Sequence, residues 1–197
     1  MNKHLKIAAA LLVALPTLTF AQVRTEQTFE KGWKFTREDS KDFSQQTYDD
    51  TKWQSVTVPH DWAIYGPFSI ENDKQKVAIT QDGQKEALEH AGRTGGLPFV
   101  GVGWYRLNFE APAFSSGKKA TLIFDGAMSH ARVYINGQEA GFWPYGYNSF
   151  HIDATPYLKA GEQNTLAVRL ENETESSRWY PGAGLYLSLI HISEPTR

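Results

Sequence analysis

The feature that most constrains the fold of this sequence is an even spacing of short strand patterns, with almost no helical periodicity. The segment at 103–109 alternates Trp, Arg and Asn with Tyr, Leu and Phe, so one face can pack while the other meets solvent. We therefore predict an all-β fold, an antiparallel jelly-roll sandwich of about eight or nine strands. Further strands are predicted at residues 54–58, 120–124, 132–135, 139–143, 149–152 and 165–170.

Three local patterns refine this prediction. The pair Asn136-Gly137 suits the positive φ angles of a two-residue hairpin turn between strands. The run at 120–124 is continuously apolar, which predicts a strand buried on both sides. The long segment at 63–102 is polar and glycine-rich and lacks alternation, which is typical of a functional loop.

The N-terminus has the pattern of a secretory signal peptide. A basic region with Lys3 and Lys6 precedes an apolar run at 7–15, and Ala21 ends a small-x-small cleavage site. We expect residues 1–21 to be removed and the protein to be exported, either to the periplasm or out of the cell. A buried N-terminal helix is the alternative. Since the chain contains no cysteine, an exported domain must be stabilised by its core and not by disulfides.

The character of the sequence changes after Tyr186. Residues 187–197 read Leu-Ser-Leu-Ile-His-Ile-Ser-Glu-Pro-Thr-Arg, which corresponds without strain to a transposase sequencing adapter translated in one frame. We therefore expect a non-native tail, which is excluded from fold reasoning and leaves one domain at 22–186. A natural C-terminus that happens to match is the alternative.

The charge balance limits the partners of the chain. It has 20 basic and 22 acidic residues, a formal net charge of −2. No basic surface is predicted, which argues against nucleic acid and anionic membranes as partners. The histidines lack metal-ligand spacing, and no phosphate-binding P-loop is present. We expect no cofactor and no metal site in this chain, and the metal dependence of a longer enzyme is left open.

Six sequence blocks, in order, resemble the N-terminal sugar-binding domain of glycoside hydrolase family 2, of the β-galactosidase type. Each block is weak alone, and their order over almost all of 22–186 carries the resemblance. In the family an arginine follows the last block, whereas Leu187 stands here, which fits a foreign tail. The blocks are VPHDW at 58–62, GWYR at 103–106, FDGAM at 124–128, VYING at 133–137, GYNSF at 146–150 and the loop at 177–186.

The resemblance implies a galactose-binding-like jelly roll, followed in the family by an immunoglobulin-like domain and a (β/α)8 barrel. The barrel carries both catalytic glutamates, so this fragment is expected to support the substrate site and to be inactive alone. Asn172-Glu173 has the order of the family's acid/base motif, but its polar surroundings indicate a solvated turn.

The resemblance also implies an activity. We expect the leading fragment of an exported, retaining β-galactosidase that acts on non-reducing β-galactosides in carbohydrate metabolism. Its partners would be the carbohydrate substrate and the missing domains of the same chain. A family 2 enzyme for another sugar, such as a β-glucuronidase or β-mannosidase, and a stand-alone carbohydrate-binding module are the alternatives.

Seven residues are candidate substrate-binding groups, because aromatic faces stack on sugars while carboxylate, amide and guanidinium groups bind hydroxyls. Each has a structural alternative: Asp61 as a cap of the turn after Pro59, Trp179 as an anchor against a neighbouring domain, and the 147–148 pair as corner packing. The candidates are Asp61, Trp62, Tyr147, Asn148, Arg178, Trp179 and Tyr180.

Overall fold

A computed structural model describes residues 24–69, 71–72, 74–90, 99–114, 117–173 and 182–193, with the backbone alone at 187–189, 191 and 193. Thirteen strands lie in this part of the chain. In chain order they are β1 (Thr25–Thr28), β2 (Trp33–Thr36), β3 (Gln54–Val56), β4 (His60–Asp61), β5 (Gln75–Val77), β6 (Leu88–His90), β7 (Gly101–Glu110), β8 (Lys119–Met128), β9 (Ala131–Ile135), β10 (Gln138–Trp143), β11 (Phe150–Asp153), β12 (Gln163–Asn172) and β13 (Gly184–Ser193).

Two antiparallel sheets form a sandwich. The five-stranded sheet has the order β1-β13-β8-β11, with β4 also paired to β13, and the six-stranded sheet has the order β10-β9-β12-β7-β2-β3. This confirms the predicted all-β, antiparallel jelly-roll sandwich. β3 lies within the strand predicted at 54–58, whereas β4, β5 and β6, with only two or three residues each, add to the predicted eight or nine. Strands this short leave no alternating pattern in a sequence.

The core fills the space between the inner faces of the two sheets. On β8 the side chains of Ala120, Leu122 and Phe124 are fully buried, while Thr121 and Ile123 are half-buried on the outer face. The continuous apolar composition of this run predicts burial on both sides. The structure shows instead that burial alternates along the run. Burial of each large apolar side chain contributes about 1.5–3 kcal/mol to stability.

The predicted hairpin at Asn136-Gly137 is confirmed and joins β9 to β10. Both residues have positive φ angles, 52° and 84°. The Asn136 side chain fixes the turn, since its amide nitrogen donates to the Tyr157 carbonyl at 2.9 Å and to Asn164 Oδ1 at 2.8 Å. Its oxygen accepts from the Thr165 backbone nitrogen at 2.9 Å. The hairpin is thereby tied to β12 and to the turn before it.

The segment at 63–102 differs from the predicted loop. Its described part contains 3₁₀ turns at Ala63–Tyr65 and Thr80–Asp82, and a separate two-stranded sheet formed by β5 and β6. The residues of both strands are half-buried or exposed. Because neither strand has a buried face, their sequences need no alternation of apolar residues. The segment therefore has the composition of a polar loop.

The structure tests neither of the two predicted terminal segments. Residues 1–23 lie outside the described residues, so the signal peptide stays a prediction. The predicted non-native tail enters β13, which lies between β1 and β8 and buries Ile190 and Ile192. The register of β13 against β8 shifts on either side of Leu187. Strand pairing does not reveal the origin of a segment, so the tail also stays a prediction. Among the described residues, no helix is long and apolar enough to cross a membrane.

Candidate functional site

The candidate site lies where β4 meets the start of β13. Asp61 Oδ1 accepts from the Ala63 backbone nitrogen at 3.0 Å and from the Ala183 backbone nitrogen at 3.1 Å. The Trp62 backbone nitrogen donates to the Ala183 carbonyl at 2.8 Å. The carboxylate therefore ties the short strand to the segment that leads into β13. This is the turn-capping role that the sequence offers as the alternative for Asp61, extended by a long-range bond.

Tyr186 forms a wall of the site beside Asp61. A Cβ added to Gly182 would lie 2.1 Å from the Tyr186 hydroxyl and 3.4 Å from Asp61 Oδ2, so these groups share one small space. The Tyr186 ring packs over Gly126, where an added Cβ would lie 3.2 Å from Cδ2. Burial raises the pKa of the Tyr186 phenol, and the negative charge of Asp61 raises it further. Tyr186 is thus a neutral hydroxyl beside a carboxylate at neutral pH.

Sequence reasoning missed Tyr186 as a site residue. The signal that could have found it is its place at the end of the aromatic and glycine loop that completes the family resemblance. Its side chain is 37 % exposed, which leaves part of the ring open to a ligand.

Two further tyrosines extend this wall. Tyr145 and Tyr147 are 55 % and 51 % exposed, with ring centroids 5.5 Å apart. The residue between them, Gly146, has no room for a side chain, since an added Cβ would lie 2.3 Å from Met128 Sδ. A Cβ added to Gly126 would lie 3.2 Å from Tyr186 Cδ2 and 3.4 Å from the Gly146 carbonyl, so the Tyr186 ring lies next to the segment that carries the two tyrosines. We call Tyr145, Tyr147 and Tyr186 the tyrosine rim.

Asn148 is engaged within the protein. Its Oδ1 accepts from Trp143 Nε1 at 3.0 Å. Trp143 in turn stacks on Phe150 with centroids 5.6 Å apart. This contact corresponds to the corner packing that the sequence offers as the alternative role for Asn148.

The structure corrects the candidate role of Trp62. Its side chain is 1 % exposed and stacks on Phe35 with ring centroids 5.5 Å apart. Gly103 makes room for it, because an added Cβ there would lie 2.8 Å from the indole. The turn capped by Asp61 directs the next side chain inward, so the ring of Trp62 belongs to the core and is closed to a sugar. Arg178, Trp179 and Tyr180 lie outside the described residues.

A cleft of about 810 Å³ opens beside Asp61 and Tyr186. His60, Lys34 and Tyr65 also line it. The exposed Tyr65 ring lies parallel to the His60 imidazole, with centroids 6.1 Å apart. Among the described residues that line this cleft, Asp61 is the only carboxylate. The cleft therefore offers aromatic faces, one acid and several hydrogen-bond donors.

His60 is held by the buried Tyr105. Its Nδ1 lies 2.7 Å from the Tyr105 hydroxyl, whereas the His60 carbonyl lies 3.3 Å from it. Burial raises the pKa of Tyr105 well above its ordinary value, and the Leu185 amide donates to its oxygen. The hydroxyl also donates to the His60 carbonyl, so the two contacts with Tyr105 fix both the backbone and the ring of His60.

Electrostatics favours the neutral form of His60. Burial lowers the pKa of its imidazole, and the Asp61 carboxylate opposes this shift only in part. His60 is therefore an uncharged imidazole at neutral pH, with one ring nitrogen as a donor and the other as an acceptor.

Glu173, which has the sequence order of the family's acid/base motif, is solvated. Glu173 lies 3.9 Å from His130 Nδ1, and half of its side-chain surface is exposed. This setting matches the predicted solvated turn. Within the described ranges, no three metal-binding side chains cluster.

The fold defines the chain as a β-sandwich domain of the jelly-roll class, with an exposed tyrosine rim beside a fixed carboxylate. Comparison with known proteins then identifies the family. The chain belongs to glycosyl hydrolases family 2, because the model of that family's sugar binding domain matches residues 27–188.

Two curated relatives have different activities in their names. The beta-galactosidase BoGH2A of Bacteroides ovatus is 39 % identical over 176 residues, which span 89 % of this chain and 19 % of the relative. A putative beta-glucuronidase of Formosa agariphila is 37 % identical over 191 residues, which span 94 % of this chain and 17 % of the relative.

Two solved structures superimpose on this chain. A family 2 member from Bacteroides cellulosilyticus superimposes with a TM-score of 0.71 at 33 % identity, over 86 % of this chain and 21 % of that one. A beta-glycosidase from Bacteroides vulgatus gives a TM-score of 0.66 at 34 % identity, over 87 % and 20 %. The chain thus spans about a fifth of the length of the proteins it matches.

Proposed function

We propose that this chain is the leading, sugar-binding part of an exported, retaining glycoside hydrolase that acts on non-reducing β-galactosides. The observation that carries the proposal is the family match across both sheets and the tyrosine rim. The rim and the cleft supply aromatic faces and hydrogen-bond groups that suit a sugar. In this role the domain supports one side of the substrate site.

The catalytic groups are assigned to a barrel domain outside this chain. Retaining hydrolysis requires two carboxyl groups about 5–5.5 Å apart. The described cleft has a single carboxylate, Asp61, and its Oδ1 is occupied by two backbone amides. We therefore expect the chain of 197 residues to be inactive alone.

The choice of sugar is tested with the complete enzyme. The coding sequence is read past codon 186, and the full product is assayed on nitrophenyl β-galactoside, β-glucuronide and β-mannoside. We expect the highest kcat/KM on the galactoside. Preference for the glucuronide would replace this substrate by the one in the names of other relatives, such as the putative enzyme of Formosa agariphila. The absence of a downstream barrel with two glutamates would refute the enzyme proposal.

A stand-alone carbohydrate-binding module is the competing function. A glycan-binding screen of the chain discriminates it, because a module binds a specific glycan without further domains. We expect weak binding at the cleft, as only part of the substrate site is present. Tight and specific binding lost on Tyr186→Ala would favour the module.

We also propose that residues 187–197 derive from an adapter. The family match ends at residue 188, close to the proposed junction, which supports the proposal. The unassembled sequencing read across codon 186 tests it. An uninterrupted genomic read that encodes Leu187–Arg197 would overturn it.

A further inference from the structure

A second concave region lies on the outer face of the six-stranded sheet, away from the cleft at His60. It encloses about 820 Å³. Its floor is formed by Trp104 on β7 and Tyr134 on β9, whose rings stack with centroids 5.6 Å apart and an interplanar angle of 23°. One wall is formed by the segment from Asp39 to Gln45. The volume lies within the range of about 300–1,000 Å³ that small-molecule sites occupy.

A fixed set of hydrogen bonds builds the inner wall. Arg169 on β12 donates to both oxygens of Asp39, at 3.1 Å and 2.8 Å, and to Glu171 at 2.8 Å. Trp104 Nε1 donates to Asp39 Oδ1 at 2.7 Å. These bonds lower the pKa of Asp39, with the bond from Arg169 as the main cause. The polar groups of this wall are therefore held in place before any ligand arrives.

The outer wall carries an accessible donor and acceptor. Arg132 Nη1 donates to Glu139 Oε1 at 3.1 Å, and both side chains are 45 % exposed. The Arg132 guanidinium also lies over the Phe142 ring, 4.8 Å from its centroid. An exposed pair of this kind is weakly bound and can exchange its partner for a ligand at little cost.

The charges of this region determine what it can bind. Three acids and three bases line it, so it has no net charge to attract an ion: Asp39, Glu139, Glu171, Lys41, Arg132 and Arg169. An anionic ligand that approached Arg132 or Arg169 would have to displace Glu139 or Asp39 and would then face the displaced carboxylate. A sugar hydroxyl both donates and accepts, so it can join the acids and bases without breaking their pairs. The partly buried ring of Tyr134 adds an apolar face of the kind that sugar C–H surfaces contact.

We propose that this concavity is a second carbohydrate-binding site that takes a neutral oligosaccharide. In it, Arg132 and Glu139 bond to hydroxyls at the open side, while Asp39 and Arg169 present fixed acceptors and donors inside. The Tyr134 ring supports one sugar face. The site is separate from the cleft at His60, so its failure would leave the proposed function untouched.

The test is isothermal titration of the chain with cellohexaose, xylohexaose and mannohexaose, with hexagalacturonate as the charged comparison. We expect saturable binding of at least one neutral hexasaccharide and weaker binding of hexagalacturonate. Arg132→Gln and Glu139→Gln should each weaken the binding about tenfold, the effect of one charge-assisted hydrogen bond. Lys34→Gln, in the other cleft, is the matched control and should change the affinity by less than about twofold.

Three results would overturn the proposal. They are no binding of any neutral hexasaccharide, binding that both Arg132→Gln and Glu139→Gln leave unchanged, and binding that Lys34→Gln removes. Thermal unfolding of each variant checks that it is folded. Since Arg132 and Glu139 are exposed, their amide variants preserve the core and keep the binding result interpretable.

Discussion

Arg106 and Asp50 form a buried ion pair, with Nε 2.8 Å from Oδ2 and the arginine side chain 1 % exposed. The guanidinium also donates to the carbonyls of Phe43, Gln45 and Tyr48. The Arg106 side chain on β7 therefore anchors residues 43–50, in the segment that follows β2.

Replacement of Arg106 is expected to be strongly destabilising. Arg106→Ala would leave a carboxylate and three carbonyls without their donor, which costs about 3–5 kcal/mol for a buried pair. Urea unfolding measures the change in free energy. Arg132→Ala, which breaks the exposed pair with Glu139, is the control and should cost at most about 1 kcal/mol. Equal losses for the two variants would contradict the buried character of the first pair.

Gly146 is expected to be required by contact with Met128. Gly146→Ala should destabilise the protein by about 1–3 kcal/mol, because the new Cβ would overlap the Met128 thioether. The double variant Gly146→Ala with Met128→Ala should lose less stability than the sum of the two single losses, since the shorter side chain removes the overlap. Thermal unfolding of the single and double variants checks the coupling. Additive losses would show that the two residues do not compete for one space.

Stability is expected to depend on the protonation of His60. Its folded pKa is below the ordinary value of 6.5, so the folded state binds fewer protons than the unfolded state. The contribution is therefore complete above about pH 6.5 and is lost as the pH falls through the folded pKa. Unfolding free energies measured at mildly acidic pH values should decline for the wild type. The decline should be shallower for His60→Gln, and an identical slope would refute the assignment.

Replacement of Trp62 by alanine is expected to destabilise the protein far more than replacement of Tyr147. Trp62→Ala should cost about 3–5 kcal/mol, because it removes a buried indole from the core. Tyr147→Ala should change stability by no more than about 0.5 kcal/mol, since half of that side chain is exposed. Denaturant unfolding of both variants provides the comparison. A small effect of Trp62→Ala would return this residue to the list of sugar-contact candidates.

The fold was predictable where strands have one buried face. The alternation on β7 and the Asn136-Gly137 turn each fix a local structure that packing preserves. The β5 and β6 pair was not predictable, because strands without a buried face leave no pattern. Composition also failed at 120–124, where the outward-facing Ile123 is apolar as well.

The site was predictable in its location and less so in its members. Asp61 lies in the cleft, and its bond from Ala63 is a local turn cap, but its bond from Ala183 joins segments far apart in sequence, which no local motif can reveal. Trp62 was assigned to the sugar because aromatic residues in loops are common ligands, whereas a capped turn points it inward. His60 gains its role from Tyr105, a buried partner on another strand.

The start of β13 has a consequence for the order of folding. Gly184 pairs with Asp61 on β4 and with Met128 on β8, so one residue joins the short strand of the cleft to the sheet. These contacts bridge residues that are far apart in sequence, and such contacts form slowly. We therefore expect the cleft beside Asp61 to be completed late in folding, after the hairpin of β9 and β10 has formed.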